Sequence, residues 1–319
     1  MWKVYLLIVA VLLGVFFQVD VDIPIFFLPY EIKNSFHDKV IWITGASSGI
    51  GASYAEQMIE AGAKVIISAR RLHELEKVAK KCEEKYNKQP YILQLDVTDF
   101  DAIDIAYQKV IELYGNIDIL VLNAGVSQRL VAVDTPLKVT EDLMKLNFIS
   151  YVALTKLVLP SMITRTQGQI VILSSLSGII GTPMGSSYSA TKFALMGYYN
   201  ALRSEVSMYG ITISIICPGP VVSEISDKAY QVVNNDVKKV EEKGKMTTER
   251  CTFLMAKAIY YKWAQVWIAY QPLLAICYFT QYFPYFSNLL FTKVIGPSRI
   301  KVVQSGGHAY DIKAILGLK

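Results

Sequence analysis

The chain has 319 residues, and its 32 Lys and Arg against 27 Asp and Glu leave a net charge of +5; no basic cluster is interleaved with aromatics, which excludes a nucleic-acid groove. Four well-separated cysteines, Cys82, Cys217, Cys251 and Cys277, argue for buried thiols rather than a disulfide scaffold, and the scattered His37, His73 and His308 give no metal-ligand spacing. Hydrophobic residues make up 53% of the chain and their excess lies at its two ends, which points to a membrane.

Residues 4–17 are unbroken apolar sequence, preceded by Lys3 and followed by Asp20 and Asp22. The run is short for a membrane helix of roughly 17 to 25 residues and has the length of a signal-peptide core. Phe16, Phe17, Gln18 and Val19 stand where a small-x-small cleavage site would be, which favours an uncleaved anchor; secretion after cleavage is the alternative. Lys3 before the run and acids after it would put the following domain in the lumen. A second apolar run, 23–28, extends the membrane contact as an interfacial segment.

Beyond this anchor, short Val/Ile/Leu-rich runs alternate with longer helical patterns. Strands are predicted at 39–44, 64–68, 91–95, 117–122, 169–173, 212–216 and 266–269, nearly all apolar as doubly buried strands require. The expected fold is α/β, a Rossmann-type doubly wound parallel sheet of about seven strands flanked by helices. The predicted division is an anchor or signal segment at 1–36, a catalytic domain at 37–270 and an aromatic extension at 271–319. Residues 224–245 are charged and poor in large apolar side chains, reading as a solvated helix pair and equally as a lid. From Trp263 to Phe291 no charge occurs and aromatics abound; this stretch is expected either to dip into the bilayer beside the substrate entrance or to form a core or dimer contact.

Directly after the first strand comes Thr44-Gly45-Ala46-Ser47-Ser48-Gly49-Ile50-Gly51, followed by a helical stretch. Glycines here allow a tight turn, close approach of the backbone to a pyrophosphate, and packing of helix on strand. The helix N-terminus then offers free N–H groups to the phosphates. At the end of the second strand, Ser68-Ala69-Arg70-Arg71 lacks the acid that would bond the adenosine 2′-hydroxyl of NAD. Arg70 instead suits a 2′-phosphate, so the expected cofactor is NADP(H).

Tyr188 and Lys192, four apart on a helical stretch, share one face. A phenol near pKa ~10 is a poor acid–base at neutral pH, and a neighbouring ammonium favours its phenolate. Ser175, thirteen residues before Tyr188, follows the strand 169–173 and opens onto the ligand crevice. Its hydroxyl would hold a substrate oxygen as charge develops, worth typically ~100- to 1000-fold in rate.

With Leu122-Asn123-Ala124-Gly125, Leu173-Ser174-Ser175, Tyr188-Ser189-Ala190-Thr191-Lys192 and Cys217-Pro218-Gly219-Pro220-Val221 in this order, residues 39–269 resemble the short-chain dehydrogenase/reductase family. The resemblance implies that Asn147 completes a catalytic set with Ser175, Tyr188 and Lys192, holding a water that relays protons. It places Asp96 and Val97 at the adenine, Asn123, Ala124 and Gly125 along the cofactor, and Pro218, Val221 and Ser223 at the nicotinamide, with Lys192 also on its ribose. Leu122 departs from the family's usual first asparagine, while Asn123 remains. Ser127-Gln128-Arg129, Lys245-Met246-Thr247-Thr248 and Gln271-Pro272 are similar to a membrane-bound branch that includes hydroxysteroid dehydrogenases. That similarity implies an endoplasmic-reticulum membrane location and small apolar carbonyl or alcohol substrates such as steroids, retinoids or xenobiotic ketones. A homodimer is expected from the family resemblance alone. The expected activity is an NADP(H)-dependent oxidoreduction at carbonyl or hydroxyl groups; the alternative is a non-catalytic NADP(H)-binding sensor or scaffold.

Overall fold

A computed structural model describes residues 18–225, 229–231 and 244–305, with the isolated positions 2, 14 and 16. Most of the predicted run 4–17 and most of 224–245 therefore lie outside the described residues. A short helix, α1 (Ile23–Phe27), precedes three strand–helix units: β1 (Val40–Thr44) and α2 (Gly49–Glu60), β2 (Lys64–Ala69) and α3 (Leu72–Tyr86), β3 (Tyr91–Gln94) and α4 (Phe100–Tyr114). Then come β4 (Ile119–Leu122), a two-residue strand β5 (Gln128–Arg129), and α5 (Leu137–Met144), which runs through a π-helical turn (Lys145–Ile149) into α6 (Ser150–Arg165). The second half holds β6 (Gly168–Leu173), α7 (Ser186–Val206), β7 (Ile211–Pro218), β8 (Tyr230–Gln231), α8 (Thr248–Tyr260) and β9 (Gln265–Ile268). Three further helices, α9 (Leu273–Tyr282), α10 (Pro284–Leu290) and α11 (Gly296–Gln304), end the described chain.

Among the described residues, seven strands form one parallel sheet in the order β3-β2-β1-β4-β6-β7-β9. The chain runs outward from β1 to β3, then crosses back to place β4 on the other side of β1. This reversal opens a crevice at the carboxyl ends of β1 and β4, where such sheets take ligands. Every residue of β1 and β4 is buried, because helices cover both faces of the sheet and leave two apolar layers, one above and one below. The seven predicted strands are all present. β7 extends to Pro218, which pairs in register with Ile268 of β9.

The segment before the domain is folded onto its edge. Val21 bridges Ile268 in antiparallel sense, and the Asp22 and Ala269 N–H groups donate to the Trp267 and Asp20 carbonyls. Asp20 accepts two hydrogen bonds from Arg250, Nε at 2.8 Å and Nη2 at 3.0 Å, and Asp22 accepts from the Tyr278 hydroxyl of α9. Unpaired groups on the outer strand are thus covered. All four cysteines are buried free thiols. One described helical stretch, Leu137–Arg165, is long and apolar enough to cross a membrane; its Tyr151, Leu154, Val158 and Met162 are buried in the core against the sheet, which accounts for that apolarity.

Candidate active site

The loop after β1 is shaped by close approach. Gly45 has φ +67°, and a Cβ there would lie 2.6 Å from Ala124 Cα; one on Gly51 would lie 2.5 Å from the Gly45 oxygen. Only glycine fits both, so the β1 turn lies directly on the Asn123-Ala124-Gly125 strip. Asn123 fastens the two: its Nδ2 donates to the Thr44 and Gly45 carbonyls at 3.0 and 2.9 Å, and its N–H donates to Thr44 Oγ1 at 3.1 Å. α2 begins at Gly49 with no side-chain cap from Ser48, which leaves its first N–H groups for an incoming anion.

These residues border a groove of about 200 Å³, lined by Gly45, Ser47, Ser48, Gly49 and Ile50, by Arg70 and Arg71, by Asp96 and Val97, and by Asn123, Ala124, Gly125 and Ser223. Uncapped amides, glycine contacts and two guanidinium groups suit a phosphorylated dinucleotide. Arg70 is largely exposed, with Nη1 3.9 Å from Asp96. Arg71 turns inward: its Nη2 donates to Ser47 Oγ at 3.0 Å and Ser48 Oγ at 3.1 Å and pairs with Glu224 at 3.1 Å. Sequence reasoning singled out Arg70 and passed over Arg71, although the Arg-Arg doublet was visible.

A larger cavity of about 540 Å³ adjoins the groove and shares Ile50, Asn123, Gly125, Ser223 and Ile225 with it. Ser175, Tyr188, Lys192, Pro218 and Val221 line this cavity, and Leu176, Ile180, Leu273, Ile276, Phe291 and Ile295 make its wall apolar. The aromatic extension therefore supplies part of the wall.

Within the cavity, α7 carries Tyr188 half-exposed and Lys192 buried on one face, with Lys192 Nζ 5.7 Å from the Tyr188 ring centre. Lys192 Nζ donates to the Leu173 carbonyl at 2.7 Å, where β6 ends. Burial pulls the Lys192 ammonium down from 10.5 to about 7, because the charged form loses its water. Ser175 Oγ accepts from Ser177 N at 3.1 Å and donates to the Pro218 carbonyl at 3.4 Å. Asn147 lies in the π-helical turn, a distortion common at functional positions. Its side chain is committed: Oδ1 accepts from Val126 N, and Nδ2 donates to the Val126 carbonyl and Thr191 Oγ1. Asn147 thereby ties the β4 strip to the helix of Tyr188 and Lys192. The structure brings Ser175, Tyr188 and Lys192 onto one cavity, with Asn147 fully buried behind them.

The family model for short chain dehydrogenases matches residues 39–233. Dehydrogenase/reductase SDR family member 7 of Homo sapiens is 41% identical over 310 residues, 94% of this chain and 91% of that protein. Its Mus musculus counterpart is 39% identical over 295 residues, 90% of this chain and 87% of that protein. Among solved structures, a short-chain dehydrogenase from Streptomyces avermitilis superposes with TM-score 0.67 at 27% identity, covering 81% of this chain and 97% of that one. An alcohol dehydrogenase from Thermococcus sibiricus complexed with 5-hydroxy-NADP has TM-score 0.66 at 21% identity, covering 74% of this chain and 97% of that one, and shares the fold.

Proposed function

The chain belongs to the short-chain dehydrogenase/reductase family, and on that premise we propose that it reduces carbonyls, or oxidises the matching alcohols, of small apolar substrates with NADP(H). The observation that carries this reading is the shared wall of groove and cavity, since the proton-handling side chains lie on the cavity side of that wall. NADPH, when bound, supplies a hydride, and NADP⁺ accepts one in the reverse direction.

Ser175 Oγ, positioned by Ser177 N, turns its one proton from the Pro218 carbonyl to the substrate oxygen while charge grows there. Tyr188 delivers the proton to that oxygen in reduction and removes it in oxidation. Lys192 sets when this happens. Burial pulls the Lys192 ammonium down to about 7, and its Nζ lies 5.7 Å from the Tyr188 ring centre. While that amine is charged, its proximity favours phenolate over phenol. Reduction needs the proton on Tyr188 and oxidation needs it removed, so the two directions respond to pH in opposite senses. Asn147 keeps the strip and helix in register and stands beside the relay that the family resemblance implies.

Support for NADP(H) over NAD(H) comes from Arg70 and Arg71 at the groove and from the lack of an acid at the end of β2. The test is NADPH and NADH consumption side by side, with a steroid ketone, retinal and the quinone menadione as probes. Faster turnover with NADPH is expected; preference for NADH overturns the cofactor reading.

We read 37–270 as the catalytic domain, 1–36 as an anchoring segment whose Val21, Ile25 and Phe36 pack into that domain, and 271–319 as an aromatic extension. A membrane location, in the endoplasmic reticulum with the domain lumenal, is supported by the apolar run 4–17. Exposed Tyr282, Tyr285 and Phe286 follow the cavity-lining Leu273 and Ile276, as an interfacial surface beside a substrate entrance would require. Deleting 1–17 and 278–291 separately and measuring retention on extracted membranes tests this, and unchanged retention after the second deletion rejects the dip.

A further inference from the structure

α7 starts without a cap of its own. Its N-cap residue is Gly185, which has no side chain, and the preceding Met184 sits in the left-handed region at φ 63°. The N–H groups an N-cap side chain ordinarily takes are those of the second and third helical positions, here Ser187 and Tyr188. Both donate to one atom, Gln128 Oε1, at 2.9 and 3.1 Å, from 59 and 60 residues away in sequence. The carboxamide is itself oriented: its Nε2 donates to Thr135 Oγ1 at 2.8 Å, and Thr135 donates in turn to the Val131 carbonyl. Two positions on, the Leu130 N–H donates to the Met184 carbonyl at 3.0 Å. Gln128 is 4% exposed, so this is a buried brace. It also follows directly on Asn123-Ala124-Gly125 and Ser127, which line the two cavities.

We propose that Gln128 is a positioning residue: a remote N-cap that sets the first turn of α7, and with it Tyr188, at a fixed distance from the cofactor-lining strip. The two walls of the site come from strand and helix ends distant in sequence, and Gln128 spans them at the backbone of the tyrosine itself. A neutral carboxamide suits the position because it supplies one acceptor to the helix and one donor to Thr135. Asparagine is a methylene too short, and glutamate would set a second acceptor against a hydroxyl whose proton is already given to Val131. This inference rests on Tyr188 being the proton donor, and the experiment separates failure of the one from failure of the other.

The full-length protein is assayed with NADPH and with the steroid ketone, retinal and menadione as probes, as Gln128→Ala, Gln128→Glu and Tyr188→Phe. Gln128→Ala is expected to lower kcat by about 10- to 100-fold, because small misplacement of a proton donor costs that much. Its NADPH Kd is expected to stay within about threefold of wild type, since every groove residue is retained. Gln128→Glu, which keeps an oxygen in reach of Ser187 and Tyr188, is expected to recover more than half of the lost kcat on a logarithmic scale. Wild-type kcat in Gln128→Ala overturns the proposal, as does a parallel loss of kcat and NADPH affinity, or a Gln128→Glu protein as slow as Gln128→Ala. Should Gln128→Ala not fold, Gln128→Asn, a methylene too short to reach the helix, decides: a kcat loss of about tenfold or more at unchanged NADPH Kd supports the brace, and wild-type kcat overturns it. Turnover persisting in Tyr188→Phe overturns both the brace and the proton-donor reading.

Discussion

Replacing Lys192 by Met keeps the buried stem and removes the charge, and its consequence for stability follows from the structure. In the unfolded chain the amine titrates at its ordinary 10.5, and in the folded, cofactor-free protein burial pulls it to about 7. Between those values the unfolded state holds more protons, so wild-type stability rises with pH across the window. Below 7 the ammonium is present in both states and its burial costs on the order of 5 kcal/mol; the cost falls to about 4 kcal/mol at pH 7 and about 2 kcal/mol at pH 9. Against this, Met leaves the Leu173 carbonyl without the Lys192 donor, a loss of about 1–3 kcal/mol. Lys192→Met is therefore expected to be more stable than wild type by roughly 1–3 kcal/mol at pH 7. That advantage narrows by about 2 kcal/mol at pH 9. Urea unfolding of both proteins at the two pH values measures this, and other titrating groups cancel in the difference. Turnover, in contrast, should fall at least about 100-fold. A variant less stable than wild type at pH 7, with a difference that does not change by pH 9, would show that the amine is comfortably charged and refute the reasoning.

Arg71→Ala removes the bonds to Ser47 and Ser48 and the pair with Glu224. If Arg71 holds the 2′-phosphate, KM for NADPH should rise by about 10- to 100-fold while KM for NADH barely moves; equal changes for both cofactors would show a loop defect instead. Gly45→Ala forces a side chain at φ +67° to within 2.6 Å of Ala124 Cα. It should cost about 2–4 kcal/mol in urea unfolding and weaken NADPH binding in a fluorescence titration, and unchanged affinity would separate the turn from the cofactor groove.

The seven sheet strands were legible because a strand buried on both faces carries an unbroken run of branched apolar residues, as Val40–Thr44 and Ile119–Leu122 do. Tyr188 and Lys192 were legible because helical periodicity puts residues four apart on one face and the Gly-rich loop after the first strand gives that face a cofactor to serve. Two-residue strands such as β5 and β8 have no period to detect, and their pairing depends on contacts made after folding. The capping of Ser187 and Tyr188 by Gln128 was invisible for a related reason, since the N-cap position falls on Gly185, which has no side chain, and the partner is some 60 residues away. The Arg70-Arg71 doublet announced a cationic strand end, but which guanidinium turns to Ser47 and Ser48 is decided by backbone geometry at the start of α3. Residues 19–22 fall in the segment assigned to the anchor, whereas their backbone groups complete the outer strand and Asp20 meets Arg250.

Tyr188→Phe tests the proton-transfer reading most directly, because the ring and its packing persist while only the hydroxyl is lost. NADPH fluorescence titration should give an affinity within about threefold of wild type, and NADPH consumption with the carbonyl probes should fall by about 100- to 10,000-fold. Intact cofactor binding together with turnover near the wild-type rate would contradict the assignment of the proton to this phenol.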